Sequence, residues 1–176
     1  MHYNFFCFIK DFDFKLINNL PKKTSIIYRN YNSHTNINAI IKTKNICRKN
    51  GYKLYLANNI KLALKLNLDG AYIPAFNTNF RINSYNLKQN FKLIGSAHDI
   101  KQIRNKELQK VSCLFLSPLF LSKKNSKSLG IYRFMNLSKK TKKKIVCLGG
   151  INKDNIKKTN LIKPYGIAAI SLFKVK

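Results

Sequence analysis

A chain of 176 residues, 45% of them apolar, is long enough to bury one core and too apolar to be a disordered tail. Its formal charge of +28 raises the question of nucleic acid, but lysines run along the whole length. Asn and Ile are enriched beside them, as drift toward AT-rich codons would produce, so no specific nucleic-acid partner is expected. The dense group Lys139, Lys140, Lys142, Lys143 and Lys144 reads as a solvated helix end. The longest uncharged stretch, residues 111–122, is far short of a membrane span. The apolar run 5–9 lacks a basic lead and is cut off by Lys10, Asp11 and Asp13, so no leader is read and a cytoplasmic protein is expected. Cys7, Cys47, Cys113 and Cys147 show neither Cys-x-x-Cys nor zinc spacing and read as buried thiols.

In chain order, short apolar segments recur at 5–9, 25–28, 53–56, 70–73, 92–95, 113–116, 145–148 and 165–170. Most are too short for helices and carry β-branched or aromatic residues, as buried strands do. Phe5, Phe6, Phe8, Tyr28, Tyr55 and Tyr72 are assigned to the core, and Tyr31 is read as core packing in preference to a stacking surface. Between the strands, Ile37, Ile40, Ile41 and Cys47 fit one helix face, and Ile100, Ile103 and Leu108 another, with Asp99 as N-cap. Ile156, Leu161 and Ile162 give a further helix, opened by Asn152, while 77–89 is barely more than a loop.

Unbroken strand–helix alternation means a parallel sheet. Eight units make a compact (β/α)8 TIM barrel the reading, over residues 1–176 as one domain, with an open doubly wound sheet as runner-up. A full barrel takes about 250 residues, so these helices must be short. No dinucleotide or nucleotide-triphosphate glycine motif is present. Small-residue patches follow the later strands: 94–98, 116–120, 147–151 and 166–171. Barrels do their chemistry in such loops and often hold a phosphate after strands 7 and 8. Gly149, Gly150 and Ser171 fall there, so small phosphorylated substrates are the expected partners, with no membrane.

The ordered motifs resemble thiamine-phosphate synthase and its relative, thiazole tautomerase. The family's Gln-x-Arg-x-Lys after strand 2 matches at Arg29, with Tyr31 in the lysine's place. Its Asn-Asp after strand 3 is Asn58-Asn59 here. Asp69-Gly70-Ala71-Tyr72 resembles the start of its strand-4 run, and Asn77 stands at the next carboxylate position. Ser96-Ala97-His98 keeps the Ser-x-His, and the strand-6 loop is partly kept from Ser117 to Ser122. Gly149, Gly150, Ile170 and Ser171 resemble the thiazole-phosphate cradle.

The resemblance implies a synthase joining hydroxymethylpyrimidine diphosphate to hydroxyethylthiazole phosphate. It implies catalytic roles for Arg29, Ser96 and Lys124, with Lys123 or Lys124 supplying charge, and substrate contacts from Asn58, Ser122, Gly149, Gly150, Ile170 and Ser171. It also implies Mg2+ at positions 59 and 77. Asn59 and Asn77 there remove two carboxylates, a donor set that argues against the metal. Asp11 and Asp13 after strand 1 read as a loop residue and a helix cap before substitute ligands. Asp69 reads as structural, and His98 as a hydrogen-bonded histidine before a base. A non-catalytic binder of thiazole phosphate is one alternative. The tautomerase is another, although its histidine is absent from the Ser117 position.

Overall fold

A computed structural model describes residues 3–31, 36–122, 127–169 and 172–173. Eight parallel strands close in sequence order into one barrel: β1 Asn4–Ile9, β2 Ser25–Tyr28, β3 Lys53–Ala57, β4 Gly70–Ile73, β5 Lys92–Ala97, β6 Cys113–Leu116, β7 Lys144–Leu148 and β8 Gly166–Ala169. Phe5 of β1 pairs with Ile167 of β8, which shuts the cylinder and sets aside the open sheet. Strands covered on both faces must be apolar throughout. Ser25–Tyr28 and Cys113–Leu116 are accordingly buried at every position.

The outer layer is as thin as the chain length requires. Among the described residues, α1 Phe14–Asn18 and α3 Ile60–Lys65 are single turns or little more, α2 Ile37–Lys49 is the longest helix, and α4 Ile100–Leu108 and α5 Gly130–Ser138 complete the set. The segments after β4 and β7 are 3₁₀ turns, Phe80–Ser84 and Ile156–Leu161. Asparagine and aspartate start these elements. Asp13, Asn36, Asn59, Asn79 and Asp99 each accept a backbone N–H of the first turn, satisfying donors a helix start leaves orphaned. The helix expected to open at Asn152 instead begins after a turn, in which the Asn152 side chain accepts from the Asp154 and Asn155 amides. Lys139 closes α5, where the helix dipole favours a cation.

Inside the barrel, Phe6, Phe8, Tyr55, Tyr72 and Phe115 form an aromatic plug. Phe115 meets the rings of Phe6 and Tyr72 edge-on at 4.9 and 5.6 Å between centroids. The four cysteines are buried, unpaired thiols, each pushed up to about 12 chiefly by burial. Among the described residues no helix is long and apolar enough to cross a membrane.

Candidate active site

Strand alternation decides which side chains reach the mouth. Phe8 and Ile27 face the barrel axis, so the two-residue period turns Arg29, the first residue after β2, inward as well. Its amide extends the ladder by donating to the Ile9 carbonyl at 2.8 Å. Its guanidinium carbon sits 4.6 Å from the Phe8 ring centroid, a cation held on the aromatic plug. Ser96 is likewise inward and buried, close enough to the Tyr72 phenol to favour its ionised form. Burial pushes that phenol strongly up, against the smaller opposing effects of Ser96 and the Arg29 charge.

Tyr31 does not pack in the core. It is 50% exposed and meets the 65% exposed Phe76 edge-on at 5.5 Å, so two loops raise an aromatic pair at the rim. Burial raises the Tyr31 phenol while the Arg29 charge lowers it, which ties the pair to Arg29. Sequence reasoning passed over Phe76, whose one signal was an aromatic ring next to Asn77 in the loop after β4. Tyr28 is buried beneath the rim and donates to Asp11 Oδ1 at 3.2 Å. Asp11 also accepts from the Phe12 amide, Asp13 caps α1, and Asp69 accepts from the Leu54 amide. All three carboxylates have structural work.

The asparagines after β3 and β4 are fixed by backbone donors, which also decides their amide orientations. Asn77 Oδ1 must accept from the Asn79 amide (2.9 Å). Its Nδ2 therefore donates to Asn58 Oδ1 at 2.6 Å. Asn59 Oδ1 accepts from the Leu62 amide at 3.0 Å as the N-cap of α3. The structure thus joins Asn58 to Asn77 and turns Asn59 to its helix. Magnesium needs hard oxygen donors, most often carboxylates. Here each of these amide oxygens is engaged, and among the described residues no three His, Cys, Asp or Glu gather. The residues present do not fit the ion.

Beneath Asn77 lies a group that sequence reasoning missed. Lys106 of α4 is fully buried, and its ammonium donates to the Asn77 carbonyl at 2.6 Å and to Gln109 Oε1 at 2.8 Å. The buried Gln109 amide reaches the Asn77 and Asn79 carbonyls. Burial brings Lys106 down to about 8.

Gly149 and Gly150 have positive φ (98° and 67°). A Cβ on Gly150 would lie 2.4 Å from the Leu121 and Phe120 carbonyl oxygens, and one on Gly149 2.8 Å from Pro118 Cα. Their glycine character is therefore set first by the β6 loop lying on them, anchored by the Phe120 amide on the Gly149 carbonyl. Ser122 is exposed at the end of that loop. Lys123, Lys124, Ile170 and Ser171 lie outside the described residues. His98 is exposed, with Nδ1 2.8 Å from the Ser117 carbonyl and 3.1 Å from its hydroxyl. A carbonyl only accepts, so Nδ1 carries a proton and donates it there.

A closed parallel barrel with Arg29, Ser96 and the Asn58–Asn77 pair at the C-terminal ends of its strands is a TIM barrel with its polar groups on the face where such barrels hold ligands. The family profile described as thiamine monophosphate synthase matches residues 16–173, and the chain belongs to that family. A thiamine-phosphate synthase of Prochlorococcus marinus is 30% identical over 130 residues, covering 72% of this chain and 36% of its own length. The chain thus spans about a third of that relative. Among solved structures, a thiamine phosphate pyrophosphorylase from Pyrococcus furiosus superposes with a TM-score of 0.72 at 14% identity, covering 96% of this chain and 86% of the other. A 3-hexulose-6-phosphate synthase from Salmonella typhimurium gives 0.72 at 12% identity, covering 96% and 89%. At such identities the superpositions speak for the fold.

Proposed function

We propose that the chain joins a hydroxymethylpyrimidine diphosphate to a hydroxyethylthiazole phosphate, releasing diphosphate and forming thiamine phosphate. In that reaction the bond from the pyrimidine methylene carbon to the diphosphate oxygen breaks, and its electron pair leaves with the diphosphate. The thiazole nitrogen then supplies the pair for a new C–N bond. No proton transfer is required, so the protein's part is positioning and charge neutralisation. Arg29 is suited to this: a planar guanidinium matches two phosphate oxygens at once and, seated on Phe8, keeps one orientation. The Tyr31–Phe76 pair offers aromatic edges to the pyrimidine beside it.

The single observation that carries the reading is Arg29, the family's matching residue, held inward at the mouth on Phe8. A second reading, a non-catalytic binder of thiazole phosphate, is favoured by the loss of both carboxylates and the engaged amide oxygens of Asn58, Asn59 and Asn77. Equilibrium binding of each substrate to the wild-type chain and to Arg29→Ala tests the proposal. Loss of about tenfold or more in affinity for the pyrimidine diphosphate, with thiazole phosphate binding kept, is the expected outcome. Unchanged affinity for the diphosphate would overturn it.

A further inference from the structure

Between the β3 and β4 loops lies a cleft of about 540 Å³, walled by Asn58, Asn59, Lys61, Asn77, Asn79 and Arg81. Among the described residues, two cations line it and no acid does. The orientations forced above decide what its amides have left to give. With Asn58 Oδ1 accepting from Asn77 and Asn59 Oδ1 from the Leu62 amide, both Nδ2 groups are left to donate to a ligand. Asn79 Oδ1 is likewise held, by the Arg81 amide at 2.9 Å. Behind the Asn77 wall stands the fully buried Lys106 side chain, its ammonium on the Asn77 carbonyl. A wall of donors and positive charge repels a divalent cation and attracts a phosphate.

Resting on the function proposed above, we infer that this cleft is a metal-free site for the part of the diphosphate that Arg29 does not hold, in which Lys61 and Arg81 supply the neutralising charge that two carboxylates and magnesium would otherwise bring. Arg81 offers a bidentate fork and Lys61 a point charge on the opposite, β3-side wall. Lys106 and Gln109 act as positioning residues, fixing the Asn77–Asn79 backbone that forms the floor.

The test is calorimetric binding of inorganic diphosphate to the full chain in excess chelator, at fixed ionic strength. It compares wild type, Lys61→Gln, Arg81→Gln and the double variant. A charge-matched control, Lys139→Gln with Lys140→Gln, removes two cations far along the chain, and melting curves confirm that each variant folds. Metal-free binding, weakened about tenfold or more in the double variant and untouched in the control, is the expected result. A requirement for magnesium, or equal weakening in the control, would overturn the inference. Its failure is separable from that of the function: diphosphate binding through Lys61 and Arg81 with no coupling of substrates sinks the synthase and leaves this site. Coupling that needs magnesium and ignores both cations does the reverse.

Discussion

Replacing Lys106 by Met separates the two opposing effects that the buried ammonium has on stability. The side chain is fully buried, and its ammonium donates to the Asn77 carbonyl and Gln109 Oε1, neither of them a carboxylate. Burial lowers its pKa from 10.5 to about 8. Below that value the folded protein carries the desolvation cost of a buried charge; above the unfolded value the amine is neutral in both states and the cost is gone. In between, the unfolded chain binds more protons than the native one, so this lysine makes stability rise with pH. One pK unit is about 1.4 kcal/mol, so the fall from 10.5 to about 8 is worth about 3–4 kcal/mol across the whole window. Against it, Met leaves Gln109 Oε1 without its donor, a loss of about 1–3 kcal/mol at every pH. Urea denaturation of wild type and Lys106→Met at about pH 7 and about pH 10 reads the balance. Near neutrality the two proteins should be close in stability. At the alkaline end wild type should lead by roughly 2 kcal/mol more than it does at neutral pH. Because the other lysines titrate alike in both proteins, a stability gap that does not move with pH would refute the reasoning.

Three further outcomes follow from the site. Gly150→Ala meets the Leu121 and Phe120 carbonyls at 2.4 Å from a positive φ, so it should lower stability by at least about 2 kcal/mol; an unchanged thermal midpoint would contradict the packing role. Asn59→Asp combined with Asn77→Asp returns two carboxylates to the cleft rim and should create divalent-ion binding absent from the parent, read as bound Mn2+ by electron paramagnetic resonance. Phe76→Ala removes half of the rim pair and should weaken pyrimidine diphosphate binding by roughly two- to tenfold while leaving thiazole phosphate affinity in place, checked by competition binding.

The barrel was legible because parallel strands buried on both faces must be apolar without interruption. Ser25-Ile26-Ile27-Tyr28 and Cys113-Leu114-Phe115-Leu116 announce themselves in a chain otherwise full of Lys and Asn. Helix starts were legible where an Asp or Asn precedes the periodic residues, as at Asp99. Arg29 was picked out by its match to the family's motif after the second strand, and the structure holds it on Phe8. What escaped were contacts between elements distant in sequence. Lys106, one of 34 basic residues, reads as a solvated lysine on α4, and it is buried because Gly95 makes room. A Cβ at Gly95 would come within 2.9 Å of the Lys106 Cδ, so the trace in the sequence is a glycine inside β5. Gly149 and Gly150 also carry the β6 loop packed on them, a constraint that no motif displays. The carboxylate losses were plain, but the amide orientations that turn Asn58 and Asn59 into donors depend on Leu62 and Asn79 backbone groups no pattern displays.

The central claim is that this barrel mouth joins two phosphorylated molecules although its metal carboxylates are gone. Phosphorus NMR of the purified chain with both substrates in excess chelator tests it most directly. Appearance of free diphosphate together with a new phosphomonoester resonance at the position of authentic thiamine phosphate is the predicted result. Both substrates bound and unchanged, with and without magnesium, would contradict it and leave a binding protein on a synthase fold.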